Sequence, residues 1–284
     1  MDSPAIDVRG LRKRYGDHEA VRGIDFSVGR GEVFGLLGPN GAGKTTTVEI
    51  LEGYRQRSAG EVNVLGRDPE RRELELRRRV GIVLQSSGMY RHITVREALG
   101  HWSHLYPSPR DVDEVIDVAG LRGSEDVRTR RLSGGQLRRL DLALALVGDP
   151  DLIFLDEPTT GFDPAARRTA WDTVRSLKGL GKTVLLTTHY LDEAQALADR
   201  VAIIKDGRIL ADGAPGELGA GDTTRYRVAW RNGRGLIEQR ETDDPTALLH
   251  ELTSAALERG ERLRDLSVTR PSLEDVYLEL TGDG

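Results

Sequence analysis

One glycine-rich stretch constrains the fold of this 284-residue chain more than any other feature. It matches the pattern GxxxxGK[ST] and consists of Gly38, Pro39, Asn40, Gly41, Ala42, Gly43, Lys44 and Thr45. In that pattern the glycines let backbone N–H groups turn towards phosphates, and the following helix presents its positive N-terminus to them. The stretch lies between an apolar run at 33–37 and a helical pattern at 45–53, the strand–loop–helix context that such a loop requires. A glycine-rich turn that binds nothing is the alternative, and the context argues against it.

This loop predicts a nucleotide site and assigns roles to its last residues. Lys44 would contact the β- and γ-phosphates, and the Thr45 hydroxyl would bind Mg²⁺. Thr46 extends the same nucleotide-binding segment by one residue.

Composition excludes several other classes of protein. The chain has no Cys, which rules out disulfides and Cys-ligated metals, and its six His form no HExxH pair. A net charge of −5 gives no support for a nucleic-acid partner. The N-terminus lacks the apolar core of a signal peptide, and the longest apolar stretches fall short of the ~20 residues of a membrane helix. We therefore expect a cytoplasmic protein that needs another polypeptide for any membrane passage.

The pattern of apolar runs predicts the fold class. Short apolar runs separated by helical stretches lie at 33–37, 79–84, 151–155, 183–187 and 201–205. Strands that alternate with helices indicate an α/β fold with a mainly parallel sheet, here a P-loop NTPase core. Alternating apolar and polar residues at 5–9 and 24–28 predict an additional antiparallel β subdomain.

Two further segments stand out from this core. The helix-rich segment 86–150 predicts an inserted helical subdomain. A Gly/Pro/Asp-rich linker at 212–222 precedes a small α+β unit at 223–284, with a strand at 225–231 and helices at 245–259 and about 272–280. We therefore expect an ATPase domain at 1–222 and a small accessory domain at 223–284.

The apolar run at 152–155 ends in two acids, Asp156 and Glu157. A carboxylate at a strand end can bind Mg²⁺, and a second can accept a proton from an attacking water. Buried strands also end in acids merely for solubility. With a phosphate-binding loop in the same chain, we expect Asp156 on the metal and Glu157 as the general base.

A second glycine-rich element, Leu132-Ser133-Gly134-Gly135-Gln136, precedes a helix at 137–148. It is a further helix start suited to an anion, although Ser is also a common N-cap in helices that bind nothing. Because one loop already serves one nucleotide, a second such element is best explained if it serves the nucleotide of a partner chain.

These motifs, in this order, resemble the nucleotide-binding subunit of ATP-binding cassette (ABC) transporters over residues 4–218. The resemblance implies ATP and Mg²⁺ as ligands, LSGGQ as the family signature and a dimer that closes on two ATP molecules. It also implies a Q-loop residue at Gln85, which contributes to the Mg²⁺ site, and a switch histidine at His189 that contacts the γ-phosphate. Asp163 matches the D-loop acid and Tyr15 the aromatic residue that stacks on adenine, while Phe162 stands where the family more often has Leu.

Each of these smaller matches has a simpler alternative. Gln85 could be a solvated loop residue, His189 a cap at a strand end and Tyr15 a half-buried surface ring. Their joint order and spacing favour the functional interpretation.

The tail at 271–282 is similar to that of daunorubicin-type drug export ATPases, which act with separate six-helix permeases. An amphipathic helix that packs on its own small domain would give the same apolar stripe. We expect a subunit at the cytoplasmic face of the membrane, in a homodimer or heterodimer, that powers export of a drug or antibiotic. The alternatives are lipid or polysaccharide export, or a soluble ABC ATPase of translation or DNA repair.

Overall fold

The computed structural model describes residues 3–83, 92–218, 226–232, 235–260, 262–269 and 272–281. The chain divides into two compact units, Met1–Asp212 and Gly213–Gly284. Over the described residues, every helix is too short or too polar to span a bilayer.

The first unit is built around a six-stranded sheet whose core strands are parallel. In spatial order its strands are β5 (Val80–Val83), β6 (Leu152–Asp156), β7 (Thr183–Thr188), β3 (Val33–Leu37), β8 (Arg200–Lys205) and β9 (Arg208–Gly213). Parallel pairing joins β5, β6, β7, β3 and β8 in that order. Every residue of β3 and β7 is buried, as expected for strands covered on both faces.

Side chains that alternate along these strands enter two different cores. Phe34, Phe154 and Leu185 face a core shared with the antiparallel sheet and the first helix. Their neighbours Val33 and Leu155 face a second core on the opposite side of the sheet. Full burial of each such side chain contributes about 1.5–3 kcal/mol to the free energy of unfolding.

A second, antiparallel sheet has the strand order β2–β1–β4. Its members are β1 (Ile6–Tyr15), β2 (His18–Val28) and β4 (Ala59–Val64). Strand β1 covers residues 6–9 of the predicted run 5–9, and β2 contains the run 24–28. Both strands are longer than predicted, because register shifts, including one beside Gly10, let pairing continue across irregular positions.

Helices cover the parallel sheet and form the inserted subdomain. They are α1 (Lys44–Leu51), α2 (Leu74–Arg78), α3 (Val95–Ser103), α4 (Val112–Val118), α5 (Gly134–Leu146), α6 (Pro164–Gly179) and α7 (Leu191–Leu197). Helices α3, α4 and α5 share an aliphatic core of their own, centred on residues such as Leu99, Ile116 and Leu140. The predicted fold class, including the inserted helical subdomain, is confirmed.

The chain turns between β8 and β9 at Asp206 and Gly207, whose φ angles of 49° and 73° suit the left-handed positions of a tight hairpin. Strand β9 continues to Gly213, so the stretch predicted as a linker begins within a strand.

The second unit contains a three-stranded antiparallel sheet of order β11–β10–β12 and two helices. Its elements are β10 (Tyr226–Arg231), β11 (Ile237–Thr242), α8 (Pro245–Glu258), β12 (Arg264–Thr269) and α9 (Leu273–Thr281). Val228 and Trp230 of β10 pack with Leu248 of α8 in a small core. The predicted strand at 225–231 and both predicted helices are present within a residue or two, whereas β11 and β12 were not predicted.

Candidate active site

The strand order brings the predicted chemical groups to one edge of the parallel sheet. Strand β7 lies between β3 and β6, with Thr188 opposite Leu37 on one side and Thr187 opposite Asp156 on the other. The carboxyl ends of parallel strands lie at the same edge, which is where α/β proteins bind ligands. The glycine-rich loop after β3, His189 after β7 and the two acids at the end of β6 therefore meet there.

Close backbone contacts shape the loop and explain its glycines. A Cβ atom at Gly38 would lie 2.1 Å from the carbonyl oxygen of Ile204, and one at Gly43 would lie 2.6 Å from that of Ala20. Gly43 also has a φ of 104°, which L side chains rarely adopt. Substitution at either position would displace the loop from its neighbours in the two sheets.

Lys44 is the first residue of α1 and its side chain is only 4% exposed. Its Nζ donates hydrogen bonds to the carbonyl oxygens of Gly38 (2.8 Å) and Pro39 (3.2 Å), and lies 3.5 Å from Oε1 of Glu157. Burial lowers the pKa of Lys44, although the charge of Glu157 opposes that change. The ammonium group is thus held inside the loop, facing the acids of β6.

Glu157 has a left-handed backbone, with a φ of 45°, a conformation that costs about 1–3 kcal/mol in a residue other than glycine. Its N–H donates to Oγ1 (3.0 Å) and to the carbonyl oxygen (3.2 Å) of Thr187. Its Oε2 accepts a hydrogen bond from Thr160 at 3.0 Å, and its Oε1 lies 3.3 Å from Nδ1 of His189.

These surroundings keep the carboxylate of Glu157 ionised. Burial favours its neutral form, but the hydrogen bond from Thr160, the nearby charge of Lys44 and the contact with His189 together outweigh burial and lower the pKa of Glu157. An ionised carboxylate at the edge of a phosphate-binding loop can accept a proton from a water molecule.

Asp156 is oriented separately from Glu157. The Thr187 hydroxyl donates to Oδ1 of Asp156 at 2.5 Å, while the side chain of Thr45 is exposed in the first turn of α1. No cluster of three or more His, Cys, Asp or Glu side chains that could bind a metal occurs among the described residues. A cation at these two side chains would complete its coordination with water or with the oxygens of a bound ligand.

The signature segment, 132–136, forms a capped helix start. The hydroxyl of Ser133 accepts a hydrogen bond from the N–H of Gln136 (3.2 Å), and Oε1 of Gln136 accepts one from the N–H of Ser133 (2.9 Å). This capping box explains the residue types structurally. Yet Ser133 and Gly134 remain exposed, so they can still contact a group outside the subunit.

Ser133, Gly134 and Gly135 border a cleft of about 500 Å³ between α5 and α6, which Gly161 and Asp163 also line. Oδ1 of Asp163 accepts hydrogen bonds from the N–H groups of Ala165 and Ala166, both at 2.9 Å, and thereby caps α6. The signature segment and the predicted D-loop are thus neighbours. Among the described residues, the hydroxyl and the N–H of Ser133 make their hydrogen bonds with Gln136 and not with the glycine-rich loop.

Gln85 and Tyr15 are two further residues that the sequence predicts at the site. Gln85 lies outside the described residues, and its role stays a prediction. Tyr15 ends β1 and pairs with His18 of β2, two residues from Ala20, whose carbonyl oxygen contacts Gly43. Its ring is 38% exposed.

Two cations that sequence reasoning missed flank the ring of Tyr15. Nζ of Lys13 lies 5.0 Å and Cζ of Arg55 5.3 Å from the ring centroid. Sequence reasoning also missed Thr187, whose contact with Glu157 depends on a strand neighbour distant along the chain, and the hydrogen bond that Thr160 donates to Glu157 three residues before it.

Comparison with known proteins agrees with this geometry. A family model described as ABC transporter matches residues 21–160. A daunorubicin resistance ATP-binding protein, DrrA3, from Streptomyces coeruleorubidus is 40% identical over 311 aligned positions, which cover 100% of this chain and 98% of that protein. The chain belongs to the ABC transporter family.

Two further known proteins match most of the length of this ABC subunit. The Nod factor export ATP-binding protein I of Burkholderia orbicola (strain AU 1054) is 41% identical, with 99% of this chain and 98% of that protein covered. The structure of cbiO1 from Clostridium perfringens, part of the ABC transporter complex cbiONQ, matches with a TM-score of 0.70 at 28% identity, and covers 78% of this chain and 92% of that one. The ABC subunit is an ATPase, as the sequence predicted.

Replacement of Tyr15 tests the predicted adenine contact. We expect Tyr15→Ala to weaken ATP binding by about 1–3 kcal/mol, the range measured for stacking of bases on aromatic rings, and Tyr15→Trp to preserve it. Calorimetric titration with ATP measures both. Tyr54→Ala is the matched control, because Tyr54 is 64% exposed in the loop after α1. Equal affinity of the Ala variant and the parent would make Tyr15 a surface ring only.

Glu52, which caps the C-terminal end of α1, makes the free energy of unfolding depend on pH. Burial, with the charges of Asp156 and Glu49, raises the pKa of Glu52 to about 8. The folded state thus keeps a proton that the unfolded chain loses near pH 4.5, and the free energy of unfolding falls as pH rises between these values. Glu52→Gln should remove this loss.

Urea unfolding of the nucleotide-free chain between pH 5.5 and 8.5 measures the effect. The stability of Glu52→Gln relative to the parent should rise with pH, by at most about 1.4 kcal/mol per pH unit. Glu61→Gln, on the exposed face of β4, should follow the parent throughout. Parallel profiles for parent and Glu52→Gln would show that Glu52 is ionised in the folded state.

Proposed function

We propose that this ABC subunit powers an exporter by hydrolysing ATP at a site that two subunits complete together. The observation that carries the proposal is the convergence of Lys44, Glu157 and His189 at the glycine-rich loop. The groups that bind phosphate and the group that accepts a proton lie within a few ångströms of each other. Phosphoryl transfer needs such positioning and charge neutralisation more than covalent help from the protein.

ATP fits the groups at this sheet edge. The loop amides at 38–43 and the ammonium group of Lys44 would bind its phosphates, and Tyr15 would stack on its adenine. A phosphate that enters the loop would compete with the carbonyl oxygens of Gly38 and Pro39 for Lys44. The nearby cations Lys13 and Arg55 add positive charge around the ring of Tyr15.

We assign Mg²⁺ to the Thr45 hydroxyl and the Asp156 carboxylate, with Gln85 as a further ligand. Hydroxyl and carboxylate oxygens suit this hard cation, which usually binds through one or two carboxylates together with substrate phosphates. The lack of a larger acidic cluster among the described residues agrees with such a site. When bound, the ion neutralises phosphate charge. Thr187 orients Asp156 through its hydroxyl hydrogen bond.

Each remaining side chain would have one role in hydrolysis. Glu157 accepts a proton from the attacking water, and Thr160 and Thr187 hold its carboxylate and its backbone in place. His189, beside Glu157, contacts the γ-phosphate. The charge of Lys44 stabilises negative charge on the phosphates as the bond to the leaving group breaks.

The second half of the site comes from a partner subunit. Exposed Ser133 and Gly134, with Gly135, would contact the ATP of the partner subunit through the start of α5. Asp163 and Gly161 lie beside them and would contribute to the same seam between the subunits. The partner is a second copy of this chain or a related subunit.

Full-length similarity to export ATP-binding proteins, through the second unit, supports export. The subunit would act at the cytoplasmic face of the membrane, on a separate permease. One of these relatives is named for daunorubicin resistance, so an amphipathic drug is the first substrate to test. The unit at 223–284 is the accessory domain that would influence dimer formation.

The test is transport with the membrane protein that copurifies with the full chain from solubilised membranes. Inside-out vesicles with both proteins should accumulate daunorubicin when ATP is added, and vesicles with the Glu157→Gln variant should not. Accumulation of a lipid-linked oligosaccharide instead would redirect the substrate assignment. ATPase activity that responds to ribosomes or DNA but not to any membrane protein would reject the transport role.

A further inference from the structure

Arg138 connects the signature helix to the turn that carries Glu157. It lies on α5, five residues after Ser133, and its side chain is 12% exposed. Its Nε donates to the carbonyl oxygen of Pro158 at 3.2 Å, and its Nη2 donates to that of Asp156 at 3.3 Å. One guanidinium group therefore bridges the two carbonyls on either side of Glu157.

The turn that Arg138 contacts depends on its surroundings for its shape. Glu157 has its left-handed backbone there, and the N–H of Glu157 is bound by Thr187 of β7. Strand β7 thus holds the amide of the general base, while α5 holds the flanking carbonyls. A left-handed residue other than glycine persists only where neighbouring groups impose it.

We propose that Arg138 is a positioning residue that couples the two ATP sites of the dimer. This inference rests on the proposed function, in which Ser133–Gly135 contact the partner's ATP. Arg138 lies on the same rigid helix as those residues, so a shift of α5 on binding the partner's ATP moves the donors that hold the turn. Glu157, which serves the chain's own ATP, then gains or loses its active orientation.

The geometry of Arg138 allows its two hydrogen bonds to be removed by a substitution that keeps its positive charge. Only a planar guanidinium can donate to two carbonyls from fixed, separate nitrogens, whereas the ammonium of a lysine acts as a single point. Arg138 also lies 3.9 Å from Asp141, one helical turn further along α5. Arg138→Lys keeps the positive charge beside Asp141 and removes the bridge.

The neighbouring Arg139 supplies a matched control. It lies on the same helix, but its Nη1 donates to the carbonyl oxygen of Gly120 at 2.7 Å. Arg139→Lys therefore makes the same chemical change to α5 without touching the turn at 156–158.

The experiment compares parent, Arg138→Lys, Arg138→Gln and Arg139→Lys as full chains. It measures kcat, KM and the Hill coefficient for ATP, together with ATP affinity under conditions where the chain is monomeric. We expect kcat of Arg138→Lys to fall at least tenfold and its Hill coefficient to approach 1, while its monomer affinity stays within about twofold of the parent. Arg139→Lys should match the parent in each quantity.

Three outcomes would overturn the proposal in distinguishable ways. If Arg138→Lys and Arg138→Gln keep the parent kcat and Hill coefficient, the coupling is wrong and the shared site stands. If Arg139→Lys loses as much activity as Arg138→Lys, the effect belongs to α5 as a whole. If Ser133→Arg hydrolyses ATP normally, the shared site itself is wrong, and the coupling falls with it.

Discussion

Glu157→Gln should lower ATP turnover at least a hundredfold while ATP still binds. The amide keeps the shape of the side chain and can accept the hydrogen bond from Thr160, but it cannot take a proton from water. A loss of about a hundredfold or more is usual when a general base is removed. Lys44 and the glycine-rich loop, which we propose bind the phosphates, stay in place. With hydrolysis blocked, ATP should hold two subunits together.

Phosphate release and sedimentation in the presence of ATP measure the two halves of this expectation. Glu61→Gln makes the same change at an exposed position of β4 and should leave both quantities as in the parent. Turnover of Glu157→Gln near that of the parent would show that another group accepts the proton. Loss of ATP binding would mean that the contact between Glu157 and Lys44 is needed to shape the loop.

Ser133→Arg should abolish hydrolysis and leave the ATP affinity of the monomer nearly unchanged. The side chain of Ser133 is exposed, and its hydroxyl accepts a hydrogen bond from Gln136 of the same helix. An arginine there would therefore obstruct the partner's ATP and leave the chain's own glycine-rich loop in place. Loss of the Ser133 cap costs α5 about 1 kcal/mol, too little to unfold the domain. Ser176→Arg, which adds the same side chain to an exposed position of α6, is the matched control.

Mixed dimers give the sharper form of this test. A Ser133→Arg subunit paired with a Lys44→Ala subunit contains one site that lacks both functions and one site that is intact. Such a mixture should recover at most one working site per dimer, although each variant alone is inactive. No recovery, or a large loss of ATP affinity in the monomeric Ser133→Arg variant, would contradict a site shared between subunits.

The fold class was predictable because buried parallel strands are continuous apolar runs. Strands such as β6 and β7 were predicted within one residue of their observed ends. By contrast, β12 was not predicted, since all of its residues are exposed and its pairing partner β10 lies far away along the chain. Strand β11 was missed because almost all of its residues are exposed, although its partner β10 directly precedes it in the chain.

In the site, too, residues in local motifs could be predicted, and residues whose contacts arise from tertiary structure could not. Lys44, Asp156, Glu157 and His189 lie in local motifs, and the structure brings them to one sheet edge, while their chemical roles stay predictions. Thr187 and Arg138 carry no motif, because their contacts with the turn at 156–158 exist only through the pairing of β6 with β7 and the packing of α5. Neither contact can be inferred from local motifs in a single sequence.

The turn between β8 and β9 has a use beyond reversing the chain. The N–H of Gly207 donates to the carbonyl oxygen of Ala42 at 3.0 Å, and the carbonyl oxygen of Gly207 accepts from the N–H of Arg22 at 2.8 Å. The amide hydrogen of Gly207 is thus hydrogen-bonded only while the glycine-rich loop lies against it. Its rate of exchange with deuterated water would report how often that loop opens, from a residue outside the loop itself.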